Sequence, residues 1–427
     1  MPAATFLRDY WQKRPLLVRA AFAGFENPVA PDDLAGLACE ELALSRIVIH
    51  RPRYDGKSTA RRRAGAGQRR GAQAEWTLRN GPFTEGDFSN LPPTHWTLLV
   101  QDVDKWDADV AALLEAFAFL PRWRIDDVMI SYAEDGGSVG AHVDQYDVFL
   151  LQGLGRRRWE ISTDPAAPGA FRDDVELKLL AQFVPTHAWV LEPGDMLYLP
   201  PGVPHHGVAL GACMTYSIGM RAPSQADLLG DFVDHLIEAL PDEARYTDPD
   251  LHPARGDGEI DEAAIARVAR AMPWLRIDEA TGRDGASRGV SPGVRGRGTR
   301  GYSGTVSASS LRAWFGRFIT RYRSAQVAAP PPRRLGDAAF LRAVADGASV
   351  RRNPWSRCAW MRDGRGAQLF VAGEAYRCSL ALARALGGDR APSLTAMPDP
   401  RDLALVRTLV DAGHFALVRA RRPGGLP

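Results

Sequence analysis

The stretches HVDQYDVF at residues 142–149 and GDMLYLPPGVPHHG at residues 194–207 decide the fold of this chain. In an extended strand, residues i and i+2 point to the same side, so the first stretch places His142 beside Asp144. The second stretch opens on a Pro-Gly-Asp turn, continues as an apolar run and ends in a rigid proline-rich corner before His205. This spacing predicts two strands that bring two imidazoles and one carboxylate to one point.

Those three side chains have the composition of a metal site. Two histidines and one carboxylate form the facial set that holds non-haem Fe(II) and leaves the opposite coordination positions open. An HxD pair alone often arises by chance, and a lone histidine is usually structural, so the specificity comes from the combination. The sequence predicts an Fe(II) site at His142, Asp144 and His205, and therefore oxygen chemistry.

The second stretch also resembles the second conserved motif of cupins, in which a glycine, five residues, P-x-G, two residues and a histidine follow one another. The residues that fit this motif without a gap are Gly194, Pro200, Gly202 and His205. The match selects His205 over its neighbour His206 as the ligand. The cupin motif places an asparagine where this chain has Ala209, a position that is not one of the predicted ligands.

A basic strand, GRRRWEI at residues 155–161, lies between the two halves of the metal site. By strand alternation, Arg157 shares one face with Trp159 and Ile161, while the other charged residues share the opposite face. An arginine that points into an apolar barrel is costly unless it meets an anion, and a guanidinium pairs well with a carboxylate. Arg157 is therefore the candidate for binding the distal carboxylate of 2-oxoglutarate; the alternative is a solvated basic strand end.

Beyond these motifs, the chain resembles the JmjC-type ribosomal oxygenases over most of its length. The likeness is strongest to the bacterial enzymes that hydroxylate an arginine of large-subunit ribosomal protein L sixteen. The stretches that carry it are FLRDYWQKRPLLVRAAF near the N-terminus, WRIDDVMISY at 123–132, HVDQYDVFLLQGLGRRRW at 142–159, LEPGDMLYLPPGVPHHGVAL at 191–210, MTYSIGMRAPS at 214–224 and WFGRFI at 314–319.

The resemblance implies a protein hydroxylase that depends on Fe(II), 2-oxoglutarate and O2. Its metal ligands fall on His142, Asp144 and His205, and its 2-oxoglutarate carboxylate ligand falls on Arg157. Thr215 stands where relatives contact the co-substrate, although a strand threonine is often only a good β former.

The substrate pocket is less determined by the sequence. Asp126, Asp127, Tyr132 and Tyr146 are expected near it, and a guanidinium substrate favours an acidic partner. The sequence leaves open which of the four contacts the substrate.

The predicted fold class is mixed α+β, with three domains. Residues 1–225 form a JmjC oxygenase domain, a double-stranded β-helix of the cupin or jelly-roll type. Residues 226–329 form a helical region that the family uses for dimerisation, and an apolar stripe from Gln225 to Leu240 fits either a homodimer or a contact within the chain. After a stiff Pro330–Pro332 linker, residues 335–427 resemble a winged-helix-like domain.

Composition agrees with an enzyme of the cytoplasm. The 427 residues carry a formal net charge of +2, which does not indicate nucleic acid as the main partner. The four cysteines have no CxxC spacing, which argues against a zinc knuckle or a disulfide framework and suits a reducing compartment. The sequence shows neither a signal peptide nor an apolar run long enough to span a membrane.

Two inserts rich in Arg, Gly and Ala, at residues 51–73 and about 283–301, interrupt the resemblance. Such segments bury too little apolar surface to offset the entropy of ordering. Their arginines suit a weak contact with ribosomal RNA, because each can neutralise a phosphate. The alternative is a solvated insertion without a partner.

Three further functions remain open from the sequence. Relatives with the same scaffold hydroxylate histidine, so a histidine of another ribosomal protein is the first alternative substrate. A nucleic-acid-binding regulator is a different class, and it is disfavoured because the stretch from Leu380 to Leu386 carries only one basic residue, Arg384. Histone demethylation is less favoured again, because Asp144 stands where many JmjC demethylases use glutamate.

Overall fold

The computed structural model describes most of the chain outside the two inserts. The described residues are 1–51, 75–238, 240, 242–243, 245–251, 262–271, 308–321, 328–388, 394 and 399–418. Apart from Arg51, the predicted basic inserts lie outside these residues. The chain divides into two compact units, Met1–Pro223 with Ile319–Pro427, and Ser224–Phe318. The three-domain division drawn from the sequence stays a prediction.

An antiparallel sheet dominates the first half of the chain. Its strands are β1 (Leu16–Val18), β2 (Ser45–Arg51), β3 (Glu75–Asn80), β4 (Trp96–Val100), β5 (Ile125–Ala133), β6 (His142–Val143), β7 (Val148–Ile161), β8 (His187–Leu191), β9 (Met196–Leu199) and β10 (Pro204–Met220). They are ordered β1-β9-β7-β10-β5-β4-β2-β3, with β6 also paired to β10 and β8 to β7. Long β7 and β10 form the centre, as expected for the predicted double-stranded β-helix.

The two faces of this sheet enclose different cores. One face packs on short helices, and its buried members include Phe149, Leu151 and Tyr216. The opposite face encloses a smaller core, whose buried members are Val148, Leu150, Trp159, Ile161, Leu191, Leu197 and Leu199. Because successive side chains of a strand alternate between faces, β7 contributes to both cores. The smaller core is the barrel interior, into which the predicted site residues point.

Short helices cover the outer core. They are α1 (Ala3–Asp9), α2 (Pro31–Leu37), α3 (Glu85–Ser89), α4 (Val103–Trp106) and α5 (Ala108–Leu113), followed by 3₁₀ turns at Leu114–Phe117 and Arg122–Arg124. The sequence predicts a strand-rich region here without these helices. Each has 4–7 residues, too few for a clear apolar period to emerge from the sequence. Among the described residues, no helix has the length and apolar character needed to cross a membrane.

Strand β7 continues through a bend at Gly155. This residue has φ +60°, and a Cβ there would lie 2.1 Å from the carbonyl oxygen of Ala212. Opposite the bend, the pairing of β7 with β10 shifts register between Leu210 and Met214. Glycine therefore allows β7 to bend here. The segment after the bend carries both Arg157 and Ile161, which lies opposite His205.

The unit Ser224–Phe318 is helical. Helix α6 (Gln225–Ile237) begins at a capping box in which the Ser224 hydroxyl accepts from the Asp227 N–H. It is followed by α7 (Glu262–Ala271) and by α8 (Ala308–Thr320). The indole N–H of Trp314 donates to Asp231 at 2.9 Å, and its ring packs on Phe232. The predicted helix at 225–240 is therefore present, three residues shorter.

The C-terminal region alternates helices and strands. Its elements are α9 (Asp337–Ala345), β11 (Ser349–Arg352), β12 (Cys358–Asp363), β13 (Gly366–Val371), β14 (Glu374–Cys378), α10 (Leu380–Gly387), α11 (Pro400–Asp411) and β15 (Phe415–Val418). Helix α11 begins at Pro400, because Asp399 caps it and proline suits the first turn.

One buried carboxylate ties the N-terminal segment to the strand that follows the metal motif. Asp147 is fully buried just before β7. It accepts hydrogen bonds from the Tyr198 hydroxyl at 2.6 Å, the Gln12 amide at 2.9 Å and the Arg124 guanidinium at 3.2 Å. Three donors from separate parts of the chain offset the cost of desolvating this charge.

We expect Asp147→Ala to lower the free energy of unfolding by about 3–5 kcal/mol, because it removes a fully buried carboxylate and leaves the partly buried Arg124 without its partner. The control Tyr198→Phe removes one hydroxyl and should cost less, about 1–3 kcal/mol. Urea unfolding followed by circular dichroism measures both. Equal losses for the two variants would contradict a central role of this carboxylate.

Candidate metal centre

Strand pairing joins the two sequence motifs. His142 in β6 lies directly opposite His205 in β10. Asp144 follows β6, and its backbone carbonyl accepts a hydrogen bond from the Gly202 N–H at 2.8 Å. The Pro-Gly corner before β10 therefore contacts the loop that carries the Asp144 carboxylate. The predicted ligands lie side by side, although the two histidines are 63 positions apart in the sequence.

The three side chains present their ligand atoms to a common point. Their nearest nitrogen and oxygen atoms all lie within 4.8 Å of one another. An oxygen of Asp144 is 3.6 Å from Nε2 of His205 and 4.0 Å from Nε2 of His142. The two imidazole centroids are 4.2 Å apart. His206, the neighbour that the motif rejected, instead lies near Glu160, with 3.6 Å between Nδ1 and the carboxylate.

Backbone carbonyls fix which imidazole nitrogens face this point. Nδ1 of His142 is 2.9 Å from the carbonyl oxygen of Gly140, and Nδ1 of His205 is 2.9 Å from that of Val203. Each Nδ1 therefore donates its hydrogen to a carbonyl, which leaves Nε2 as an unprotonated ligand, the arrangement typical of metal-binding histidines. Burial, followed by the neighbouring His142, holds the pKa of His205 well below its usual value, so this imidazole is neutral.

The donor set fits a divalent transition metal. Its two imidazole nitrogens and one carboxylate oxygen approach from one side, as in the facial sites of non-haem iron oxygenases. His205 is buried, whereas His142 and Asp144 keep about a quarter of their side-chain surface exposed, 24% and 23%. The exposed side is the one from which a co-substrate and a substrate can reach the metal.

Arg157 provides the opposite end of the same interior. It is 2% exposed, and the residues on either side of it in β7 are exposed, so the predicted alternation is confirmed. Its terminal nitrogens donate to the Ser131 hydroxyl and the Gly207 carbonyl, both at 3.3 Å, and its buried Nε has no hydrogen-bond partner among the described residues. Burial lowers the pKa of Arg157.

No carboxylate of the part of the chain described here forms an ion pair with Arg157. A buried guanidinium held by two long, neutral hydrogen bonds is poorly compensated, because desolvating an unpaired charge is costly. A bound carboxylate would supply the missing partner. The surroundings of Arg157 therefore fit an anionic co-substrate.

A row of buried polar side chains crosses three strands beside Arg157. Thr215 in β10 lies opposite Ser131 in β5 and Gln152 in β7. The Thr215 hydroxyl donates to the Gln152 amide oxygen at 3.1 Å, and the Gln152 amide nitrogen donates to the carbonyl of Leu154 at 2.8 Å. Thr215 thus lies in a buried polar row next to Arg157, and its contact with the co-substrate stays a prediction.

Ser131 and Gln152 belong to this polar row, and the sequence did not predict them. Gln152 carried a usable signal, because it is the one strongly polar side chain in the apolar run VFLLQGLG. Ser131 carried none, since a serine inside a strand is unremarkable and only the register of β5 against β10 reveals its neighbours.

The four residues expected near the substrate pocket separate into two pairs. Asp126 pairs with Arg357 of the C-terminal region, and Tyr132 directs its hydroxyl to Glu134 at 2.5 Å and packs against the outer core. The structure therefore places neither of them at the barrel interior.

Tyr146 lies near Asp144, whereas Asp127 accepts a hydrogen bond from the Asp102 N–H at 3.3 Å. Asp127 is buried, and burial, followed by the neighbouring Asp102 and Asp126, raises its pKa to about 7. The Tyr146 ring is exposed, while its hydroxyl lies deeper. Burial of that hydroxyl, followed by the charges of Asp144 and Asp127, raises the pKa of Tyr146.

Comparison with known proteins agrees with this geometry. The profile of the JmjC domain matches residues 112–228, and the profile of the ROXA-like winged helix matches residues 307–416. The first match includes all three members of the triad and Arg157. The predicted fold class, a JmjC cupin followed by a winged-helix-like domain in a mixed α+β chain, is confirmed.

Full-length relatives extend the likeness. The chain is 33% identical over 430 residues to the ribosomal protein uL16 3-hydroxylase of Escherichia coli, with 96% of each chain covered. It is 34% identical over 250 residues to a probable ribosomal oxygenase of Haemophilus influenzae, covering 58% of this chain and 54% of that protein.

Solved structures give the same result. The crystal structure of Escherichia coli YcfD has a TM-score of 0.74 at 30% identity, and 98% of each chain is covered. A structure of that ribosomal oxygenase in complex with cobalt and 2-oxoglutarate has a TM-score of 0.70 at 31% identity, again with 98% of each chain covered. The chain therefore belongs to the JmjC ribosomal oxygenases, a family of 2-oxoglutarate-dependent dioxygenases.

Proposed function

We propose that this protein is the Fe(II)- and 2-oxoglutarate-dependent hydroxylase of an arginine side chain in ribosomal protein uL16, the protein called L sixteen above. The observation that carries the proposal is the pairing, in one barrel, of a convergent His-Asp-His set with a buried arginine that has no carboxylate partner in the described part of the chain. The His-Asp-His set would hold a metal that binds one end of 2-oxoglutarate, and the Arg157 guanidinium would bind the other end.

Each residue then has a separate role. His142, Asp144 and His205 hold the metal through the atoms that already converge. Arg157 binds the distal carboxylate, and Thr215 lines the wall beside it. Along β7, Arg157 is four residues from Ile161, which lies opposite His205, so about 13 Å of strand separates the two ends. The arginine side chain reaches back over part of that length.

Bound iron and 2-oxoglutarate would carry out the chemistry, and the protein would position them relative to the substrate. With iron in place, one O2 converts 2-oxoglutarate to succinate and CO2 while one oxygen atom enters a C–H bond of the substrate. The apolar members of the barrel interior, among them Leu150, Leu197 and Leu199, exclude water from this reaction. Carbonyl-bound Nδ1 atoms keep both imidazoles in the ligand tautomer throughout.

The substrate assignment rests on the relative named as a uL16 3-hydroxylase and on the groups at the metal side. Asp127 and the exposed Tyr146 ring offer a carboxyl group and an aromatic face, which suit a guanidinium. The alternative is hydroxylation of a histidine in another ribosomal protein. The mass-spectrometric experiment described below distinguishes a modified histidine from a modified arginine. We place the activity in the cytoplasm, where ribosomal proteins are made.

We also propose a homodimer that forms through helix α6. Leu229, Val233 and Ile237 are spaced four residues apart and therefore share one helix face. Their side chains are exposed in the single chain at 63%, 41% and 57%. A stripe of three such residues is typical of an interface. Weak contact of the basic inserts with ribosomal RNA stays a prediction, because they lie outside the described residues.

Replacing Asp144 by alanine should abolish hydroxylation while the fold is kept, because it removes the only carboxylate of the triad. Purified protein is incubated with Fe(II), 2-oxoglutarate, ascorbate and unmodified uL16 in air, and one-oxygen mass gains are mapped by tandem mass spectrometry. Asp173→Ala removes an exposed carboxylate and serves as control. A gain on an arginine that Asp144→Ala retains would contradict the triad; a gain on a histidine would contradict the substrate residue.

Replacing Arg157 by lysine should raise the KM for 2-oxoglutarate by about 10–100-fold, because a bidentate charged contact becomes a single one. Iron affinity should change little, since Arg157 does not belong to the metal set. Arg156→Lys, on the exposed face of the same strand, is the matched control. If Arg157→Lys weakened iron and 2-oxoglutarate binding equally, Arg157 would have only a structural role.

Replacing Leu229 by aspartate should convert a dimer into a monomer, because a charge would be buried in the α6 interface. Light scattering coupled to size exclusion gives the mass in solution. The control Asp234→Asn changes an exposed residue of the same helix and should remain dimeric. A wild-type monomer, or a variant that stays dimeric, would refute this interface.

A further inference from the structure

Trp159 lies between the two ends of the proposed co-substrate pocket. On β7 it falls midway between Ile161, which is paired with His205, and Arg157, which is paired with Ala209. All of these side chains share the interior face, because residues i and i+2 of a strand point to the same side. The proposed hydroxylase mechanism assigns Trp159 no role.

The indole contacts the functional group at each end. The guanidinium carbon of Arg157 lies 5.1 Å from the indole centroid. The imidazole of His205 lies 6.0 Å from it, ring centroid to ring centroid. Trp159 is 4% exposed, so the contact with Arg157 is desolvated, the condition in which a cation over an aromatic face is most strongly attracted.

The hydrogen bonds of Arg157 do not fix its position by themselves. Both are 3.3 Å long, at the weak end of the usual range, and neither acceptor is charged. The buried Nε has no hydrogen-bond partner among the described residues. The contact with the Trp159 indole, 5.1 Å from the guanidinium carbon to the ring centroid, is therefore the interaction that best defines where the guanidinium lies.

Gly207 makes room for this contact. It lies opposite Trp159 on β10. A Cβ at this position would be 2.7 Å from Nε of Arg157 and 2.8 Å from two carbons of the Trp159 ring. Even a methyl group would thus displace the arginine, the indole or both.

From these contacts we infer that Trp159 and Gly207 are positioning residues that hold the Arg157 guanidinium ready for the distal carboxylate of 2-oxoglutarate. The inference rests on the proposed function, because it takes Arg157 as the ligand for that carboxylate. Trp159 acts through Arg157, while the metal set keeps its own supports, the carbonyls of Gly140 and Val203. Loss of the indole should therefore weaken co-substrate binding and spare the metal.

The test is anaerobic calorimetric titration of 2-oxoglutarate into the full chain loaded with Mn(II), together with titration of Mn(II) alone. Trp159→Leu removes the aromatic face, and Trp159→Phe keeps a smaller one. We expect the Kd for 2-oxoglutarate to rise about 10–30-fold in the leucine variant and less in the phenylalanine variant, with Mn(II) affinity unchanged. Trp189→Leu, paired with Trp159 on β8, is the matched control. Gly207→Ala should resemble Trp159→Leu.

A double-mutant cycle separates positioning from general packing. In an Arg157→Lys background, Trp159→Phe should have little further effect on the Kd for 2-oxoglutarate, because its effect passes through the guanidinium. Additive effects would overturn the inference, and so would a parallel loss of Mn(II) affinity or unchanged 2-oxoglutarate binding in all three single variants. If wild-type protein binds no 2-oxoglutarate, the proposed function itself fails.

Discussion

The antiparallel pairing of β10 with its neighbours is the constraint on which the site depends. One end of β10 holds His205 opposite His142, and four residues later the same strand holds Ala209 opposite Arg157 on β7. The distance between the metal set and the guanidinium is therefore set by backbone hydrogen bonds. Of the three metal-site residues and Arg157, only Asp144 lies in a loop, and the Gly202 N–H holds that loop against the start of β10. The proposed co-substrate would therefore meet two ends that are held by backbone hydrogen bonds.

The barrel interior combines an apolar wall with a few buried polar groups, and these groups are incompletely satisfied. The atoms Nε of Arg157 and Nε1 of Trp159 are buried without hydrogen-bond partners among the described residues. Unmade hydrogen bonds cost stability, and such groups persist mostly where a ligand completes them. Asp147, by contrast, is buried with three donors and has a structural role.

Sequence patterns predicted the parts of the site that depend on local geometry. The i, i+2 rule placed His142 with Asp144, the cupin spacing selected His205, and strand alternation turned Arg157 inward. Patterns did not reveal partners that require a register between distant strands, which is why Ser131 escaped notice. They also left four candidates near the substrate, of which Asp126 pairs instead with Arg357, because a local pattern carries no information about a residue 231 positions away.

If Arg157 binds the distal carboxylate as proposed, its buried guanidinium also determines which acids can bind. Binding a dicarboxylate replaces the lost hydration of Arg157 with a charge-assisted, bidentate contact. A 2-oxoacid that lacks the distal carboxylate would leave the Arg157 guanidinium buried and unpaired. The free-energy cost of an unpaired buried charge is large. Selectivity for 2-oxoglutarate would therefore depend on the free-energy cost of an unpaired Arg157 as much as on the contact between Arg157 and the distal carboxylate. By the inference drawn above, packing against Trp159 would sharpen this choice, because it would limit movement of the guanidinium toward water.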